Sequence, residues 1–140
     1  MSTEPEHLAW LVKRLQHRHH RALDTRLQQS LDVSLVQWNA LREIDRHPGD
    51  SQRSLAEHTF NSVQAFGTLV ARLMERGLVT RVDGQGRATK HELTPKGEAL
   101  LRAGQQILQE ITRTSFAPLS KTERVELRRL LELVLKDGAG

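Results

Sequence analysis

The 140-residue chain contains no cysteine. This absence excludes disulfides, thiolate metal sites, a cysteine nucleophile and a thiol redox switch. No apolar run approaches the roughly 18 residues that a membrane-crossing helix requires. The first residues are acidic and lack the apolar core of a signal peptide. We therefore expect a cytoplasmic protein that does not associate with membranes.

The composition is that of a folded domain that can bind nucleic acid. Hydrophobic residues make up 37% of the chain and charged residues 27%, which indicates a globular rather than a disordered protein. The formal net charge is +4 and the sequence pI is about 10.1, and a pI above about 9 is one mark of nucleic-acid-binding domains. No repeat, low-complexity block or linker interrupts the sequence, so residues 1–140 form one domain.

Hydrophobic periodicity and capping signals predict six helices. Capping boxes begin three of them, at Thr3, Ser34 and Ser120, because Glu, Gln and Glu follow three residues later. The first predicted helix ends near residue 29, and the second is stopped by Pro48 and Gly49. The others are predicted over 51–58, 62–76, 95–114 and from 121 towards the end of the chain.

The segment from Pro48 to Leu93 has the order helix, turn, helix, strand, turn, strand. The second helix of this segment carries a predicted buried stripe, namely Phe66, Leu69, Val70, Leu73 and Met74. Gly77 is suited to cap its end. Two strands over 78–82 and 87–93 follow, joined by a turn over 83–86. The predicted fold is therefore mainly α, a winged helix-turn-helix of six helices plus a two-stranded β-wing.

The outward face of the helix over 62–76 suits DNA base edges. A glutamine can pair with adenine through two hydrogen bonds, and an alanine or threonine methyl can touch a thymine methyl. A glycine on this face brings the backbone close to DNA or makes room for a neighbouring helix. The sequence therefore predicts DNA contacts from Gln64, Ala65, Gly67, Thr68 and Arg72, together with Ser51 and Ser62 at two helix starts.

The turn between the predicted strands is rich in glycine and surrounded by basic residues. Such a wing can place an arginine in the minor groove and a lysine near phosphate. Arg81, Arg87 and Lys90 are therefore predicted DNA contacts, and an ordinary solvated hairpin is the alternative.

The chain resembles the MarR family, the multiple-antibiotic-resistance-type bacterial regulators. The matching segments include Gln37-Trp38, Leu55-Ala56-Glu57, Arg76-Gly77-Leu78-Val79, Gly86-Arg87-Ala88 and Leu93-Thr94-Pro95-Lys96-Gly97. The resemblance implies a homodimer in which residues 4–30 and 95–136 form the dimerisation base and residues 34–93 bind DNA. It also implies that the fourth helix enters the major groove, that Arg87 reaches the minor groove, and that small carboxylated aromatics are frequent effectors.

The apolar pattern of the last helix supports a dimer independently. Leucines and valines lie nearly all round its final turns, at Leu130, Leu131, Leu133, Val134 and Leu135. A helix of this kind is normally buried, and a protomer of this size offers little surface to bury it. A two-fold dimer would hold two reading helices about 34 Å apart on a palindromic double-stranded DNA operator.

A ligand site can be sought among cations next to aromatic rings. Trp10, Arg14, His17 and Arg18 have spacings that allow one shared face on the first helix, and Trp38 is on the second. A cation beside an aromatic surface suits a planar aromatic carboxylate. The alternative is that Trp38 belongs to the core and that Arg14 is a solvated surface charge.

The sequence favours a ligand-responsive transcriptional repressor over a metal-binding protein, an enzyme and a protein-interaction module. The run His17-Arg18-His19-His20 offers two imidazoles at i and i+3, but neighbouring arginines repel a cation, so we expect no metal site and no cofactor. No arrangement of nucleophile, base and orienting group indicates an enzyme. The remaining alternative is a winged-helix protein-interaction module, because the start of the fourth helix carries almost no positive charge.

Overall fold

A computed structural model describes residues 3–82 and 90–136. Within these residues lie six helices and two strands, which confirms the predicted fold class. They are α1 (Glu4–Leu31), α2 (Leu35–Arg46), α3 (Gln52–His58), α4 (Val63–Glu75), β1 (Val79–Val82), β2 (Lys90–Leu93), α5 (Pro95–Phe116) and α6 (Lys121–Leu135). None of the described helices is both long enough and apolar enough to span a bilayer.

The helices begin at the predicted side-chain caps. Thr3, Ser34 and Ser120 each form a complete capping box with the residue three positions later. Three further helices begin at a single hydroxyl cap, on Ser51, Ser62 and Thr94. Since a side-chain oxygen satisfies a backbone N–H that has no partner within the helix, each of these polar residues fixes where its helix starts.

The core lies where α2, α3 and α4 meet the C-terminal half of α1 and the N-terminal half of α5. Its largest fully buried side chains are Trp38 and Phe66, and leucines from α1, α2, α3 and α4 surround them: Leu27, Leu41, Leu55 and Leu73. The indole Nε1 of Trp38 donates to the Leu101 carbonyl at 3.2 Å, which satisfies the one polar atom of this ring.

The end of α4 is held by the start of α5. Gly77 follows the helix with φ +73°, a left-handed conformation that favours glycine. The Leu78 N–H donates to the Leu73 carbonyl at 3.0 Å, and the Thr94 hydroxyl donates to the Gly77 carbonyl at 2.6 Å. Gly97 lies so close to the Leu78 carbonyl that a Cβ there would collide with it. These contacts fix the orientation of α4 and the base of the wing.

The described parts of the wing form an antiparallel pair. Val79 is opposite Leu93 and Val82 is opposite Lys90. Residues 83–89, which include the predicted wing tip and Arg87, lie outside the described residues.

The predicted stripe on α4 is only partly correct. Phe66, Val70 and Leu73 are buried and Leu69 is half-buried, but Met74 is 38% exposed. Met74 lies on the last turn of α4, where the fully buried Leu73 takes the position that faces the core. On α5 the most buried leucine is Leu101, which the sequence analysis did not name.

Candidate nucleic-acid interface and neighbouring cavities

The outward face of α4 is exposed as the sequence predicts. The side chains of Gln64, Ala65, Thr68 and Arg72 are all accessible to solvent. They line one open groove of about 590 Å³, together with Asn61, Ser62, Leu69 and the exposed Val36 of α2. The opposite face of α4 is buried through Phe66, Val70 and Leu73, so packing leaves this polar face as the accessible one.

Hydrogen bonds within α4 determine which groups on this face are available. The Ser62 hydroxyl accepts from the Ala65 N–H at 3.0 Å, so its oxygen caps the helix while its O–H can still donate. The Thr68 hydroxyl donates to the Gln64 carbonyl at 3.2 Å, which leaves the Thr68 methyl for apolar contact. Ser51 is half-buried and caps α3 by accepting from the Ser54 N–H at 3.2 Å.

Gly67 belongs to the contact between α3 and α4. It is half-buried, and a Cβ built on it would come within 2.7 Å of Gln52 Nε2. The space at Gly67 is therefore taken by a side chain of the neighbouring helix. Of the two interpretations of this glycine, the structure favours helix packing over close approach of the backbone to DNA.

The basic residues at the base of the wing are exposed or half-exposed. Arg81 is exposed on β1 and pairs in register with His91 of β2. Lys90 is half-buried at the start of β2. Burial lowers the pKa of His91, and the positive charge of Arg81 lowers it further.

The predicted ligand-binding residues do not form one site. On α1, the Arg14 guanidinium lies 5.4 Å from the centre of the Trp10 ring, and both residues are exposed. Trp38, in contrast, is fully buried in the core. Of the two interpretations of Trp38, the core position is therefore confirmed and a ligand contact beside the α1 residues is wrong. Its ring is large and apolar, and its N–H finds a partner inside the protein.

His17 and Arg18 are exposed on α1, apart from the core. Arg18 lines an open cavity of about 550 Å³ between α1 and α5, and neither Trp10 nor Trp38 contributes to it. In the same region His19 Nε2 lies 2.7 Å from the Ser115 hydroxyl. Burial, followed by the neighbouring Arg18, lowers the pKa of His19. The middle of α1 thus packs against α5.

A second arginine–tryptophan pair lies on α2, and its arginine lines a cavity that was not predicted from the sequence. The Arg42 guanidinium lies 5.0 Å from the centre of the Trp38 ring. Arg42 lines a cavity of about 420 Å³ between α1, α2 and the α3–α4 turn, to which Gln16, His20, Asn39 and Phe60 also contribute. Arg42 Nε is buried and has no hydrogen-bond partner among the described residues. Burial also lowers the pKa of Arg42, although an arginine remains charged near neutrality.

Comparison with known proteins finds similarity to one family of regulators. Residues 31–88 match the sequence profile of the MarR family. The HTH-type transcriptional repressor Rv2887 of Mycobacterium tuberculosis is 28% identical over 109 residues, which cover 76% of this chain and 78% of the repressor. The chain is therefore similar to the MarR family over residues 31–88 and to this repressor over most of its length.

Solved structures of the same repressor share the fold of this chain. Its complex with salicylic acid superposes with a TM-score of 0.73 at 26% identity, over 91% of this chain and 95% of that chain. Its complex with DNA gives a TM-score of 0.78 at 24% identity, over 92% and 98%. The curated relatives of this chain are transcriptional repressors.

One histidine cluster of this chain was not anticipated. His47, Asp50 and His58 come together where α2 ends and α3 ends. Sequence reasoning singled out His17–His20 instead, because consecutive histidines are conspicuous in a sequence. The residues of the actual cluster are three and eight positions apart, and only the fold of the helix-turn-helix brings them together.

Proposed function

We propose that this chain is a dimeric, sequence-specific DNA-binding transcriptional regulator that acts as a repressor and is released by an aromatic carboxylate. The observation that carries the proposal is the outward face of α4, where Gln64, Ala65, Thr68 and Arg72 line one open groove. Small and hydrogen-bonding side chains at the start of the helix permit close approach to base edges, and Arg72 near its end can neutralise a phosphate.

Exposed apolar side chains at both ends of the chain support the dimer. The helix α6 contains no buried residue, and Leu133, Val134 and Leu135 are between 60% and 81% exposed. The start of α1 exposes Leu8, Leu11 and Val12. Exposed apolar side chains in such numbers on two helices are typical of a protein–protein contact. We propose that a second copy of the chain covers it.

Two identical copies imply a palindromic operator. The two-fold axis of the dimer would place the two α4 helices in successive major grooves, one helical turn apart. Arg81, Lys90 and Arg87 of each wing would then contact the flanking backbone and minor groove, as the sequence analysis predicted. The repressor Rv2887, crystallised with DNA, is a relative consistent with this use of the fold.

The proposed effector site is the cavity at Arg42. Its guanidinium is stacked over Trp38, is half-buried, and leaves Nε without a partner among the described residues. A carboxylate placed there would accept charge-assisted hydrogen bonds in a partly desolvated environment. Its aromatic ring would fit beside Phe60, which is 97% exposed on the α3–α4 turn. The complex of Rv2887 with salicylic acid supports the class of ligand.

Gel-shift titration tests the DNA-binding proposal. The full chain is titrated against duplexes that flank its own gene and against a random duplex, at several salt concentrations. We expect tighter binding to a palindromic site and a logarithmic affinity that falls linearly with the logarithm of salt concentration. Salt-insensitive binding, or equal affinity for every duplex, would favour the protein-interaction alternative.

Calorimetry with salicylate tests the effector site. The structure provides a matched pair, because Arg42 and Arg14 both lie over a tryptophan ring but only Arg42 is half-buried. We expect Arg42→Gln to weaken salicylate binding at least tenfold and Arg14→Gln to leave it unchanged. An equal loss of salicylate affinity in both variants, or a loss in Arg14→Gln alone, would indicate that the effector binds at the face predicted on α1.

A further inference from the structure

The end of α2 and the end of α3 bring three potential metal ligands together. One ligand atom from each of His47, Asp50 and His58 lies within 4.8 Å of the other two. His58 Nε2 is 3.6 Å from Asp50 Oδ2, and His47 Nδ1 is 3.9 Å from the same oxygen. Among residues 3–82 and 90–136 this is the one group of three such side chains at this spacing.

Neighbouring groups orient the imidazole and the carboxylate. Glu43 Oε2 lies 3.1 Å from His47 Nε2, and the other ring nitrogen, Nδ1, lies on the side of Asp50. A carboxylate on the distal ring nitrogen is the arrangement that orients histidine ligands in metal sites. The Ser54 hydroxyl donates to Asp50 Oδ2 at 3.2 Å and fixes the position of this carboxylate.

The imidazole rings of His47 and His58 are stacked face to face. Their ring centres are 4.1 Å apart and the rings are nearly parallel, at 4°. The ligand atoms of a tetrahedral zinc site are about 3.3 Å apart, given metal–nitrogen distances of about 2.0 Å. Shifts of the three ligand atoms by up to about 1.5 Å would therefore bring them to the spacing of a tetrahedral zinc site. The three side chains are 34% to 41% exposed, so the core does not oppose such shifts.

We propose that His47 Nδ1, Asp50 Oδ2 and His58 Nε2 bind a divalent transition-metal ion of the zinc class. Two imidazoles and one carboxylate match zinc, nickel or cobalt, whereas calcium and magnesium take oxygen ligands. Three protein ligands leave a fourth position for water. The ion would tie the end of α2 to the end of α3, the two helices on which α4 rests.

Calorimetric titration of the full chain with zinc chloride tests the site. We expect Asp50→Asn and His58→Gln each to weaken zinc binding at least tenfold. The matched control is the double variant His7→Gln/His17→Gln, which removes two exposed histidines of α1 and is expected to bind zinc as the wild type does.

A melting experiment gives a second readout that does not depend on heats of binding. An ion that binds only the folded chain raises the melting temperature of the wild type as its concentration exceeds the dissociation constant, and we expect this rise to be lost in His58→Gln. Wild-type behaviour of both Asp50→Asn and His58→Gln, or loss of binding in the α1 double variant, would overturn the proposal. The titration needs no DNA, so its outcome is independent of the proposed regulatory function.

Discussion

Two glycines in the middle of helices are expected to respond in opposite ways to substitution by alanine. Replacing a glycine by alanine inside a helix normally stabilises it by about 1 kcal/mol. Gly67 of α4 and Gly104 of α5 are both inside helices, so helix propensity predicts the same gain for both. Their surroundings differ, and the structure predicts opposite signs for the change in the free energy of unfolding.

At Gly104 the new Cβ would collide with the buried indole of Trp38, including Nε1 and Cδ1. Overpacking of this kind costs about 1–3 kcal/mol. Moving the indole also breaks its hydrogen bond to the Leu101 carbonyl and leaves a buried donor unsatisfied, at about 1–3 kcal/mol. After subtraction of the helix-propensity gain, Gly104→Ala should lower the free energy of unfolding by about 1–5 kcal/mol.

At Gly67 the new Cβ would meet only the amide end of Gln52. This side chain is flexible, so it can rotate away and the helix-propensity gain remains. Gly67→Ala should therefore leave the free energy of unfolding unchanged or raise it by up to about 1 kcal/mol.

Urea unfolding followed by circular dichroism measures both variants. Protein concentration is held constant, because the stability of a dimer depends on it. Trp38→Phe combined with Gly104→Ala gives a double-mutant cycle, and the smaller ring should recover part of the loss. A Gly104→Ala variant that is as stable as Gly67→Ala would refute the packing argument.

Three further predictions concern DNA binding, pH and assembly. In gel shifts, Arg72→Ala should weaken binding to operator and random duplexes alike. It should also reduce the slope of log affinity against log salt concentration by about 1. An unchanged slope would show that Arg72 does not contact a phosphate. Burial lowers the pKa of His19 and of His91 in the folded chain, so below about pH 6.5 the unfolded chain binds more protons and the free energy of unfolding should fall as pH is lowered. His91→Gln should flatten this dependence in urea titrations, and an equally steep curve would contradict the assignment. Leu131→Glu, at a position that is 41% exposed in the protomer, should yield folded monomers in sedimentation experiments and abolish operator binding; a stable dimer would exclude α6 from the interface.

Local signals in the sequence were sufficient for the helices and their starts. Ser34 with Gln37 and Ser120 with Glu123 form the predicted capping boxes, because a cap depends only on residues three positions apart. The outward face of α4 was also predictable, since a single helix with one apolar stripe has only one polar side.

Contacts between distant parts of the chain could not be predicted from the sequence. The sequence left Trp38 open between a ligand contact and the core. The core encloses it, and its hydrogen-bond partner is Leu101, 63 positions away. Arg42 becomes a candidate anion site only because α2 places it over that buried ring at the mouth of a cavity. The environment of a side chain depends on which elements pack around it, and the spacing of residues along one helix does not encode that.

The amino-acid sequence by itself determined the order of helices and strands, the caps that begin them and the apolar stripes that must be buried. Only the tertiary structure decided that Gly67 faces α3, that Trp38 is core and that His47, Asp50 and His58 meet. The physical reason is one of range. Capping and periodicity act within a few residues of backbone, whereas burial, cavities and clusters of ligands arise where separate elements pack together.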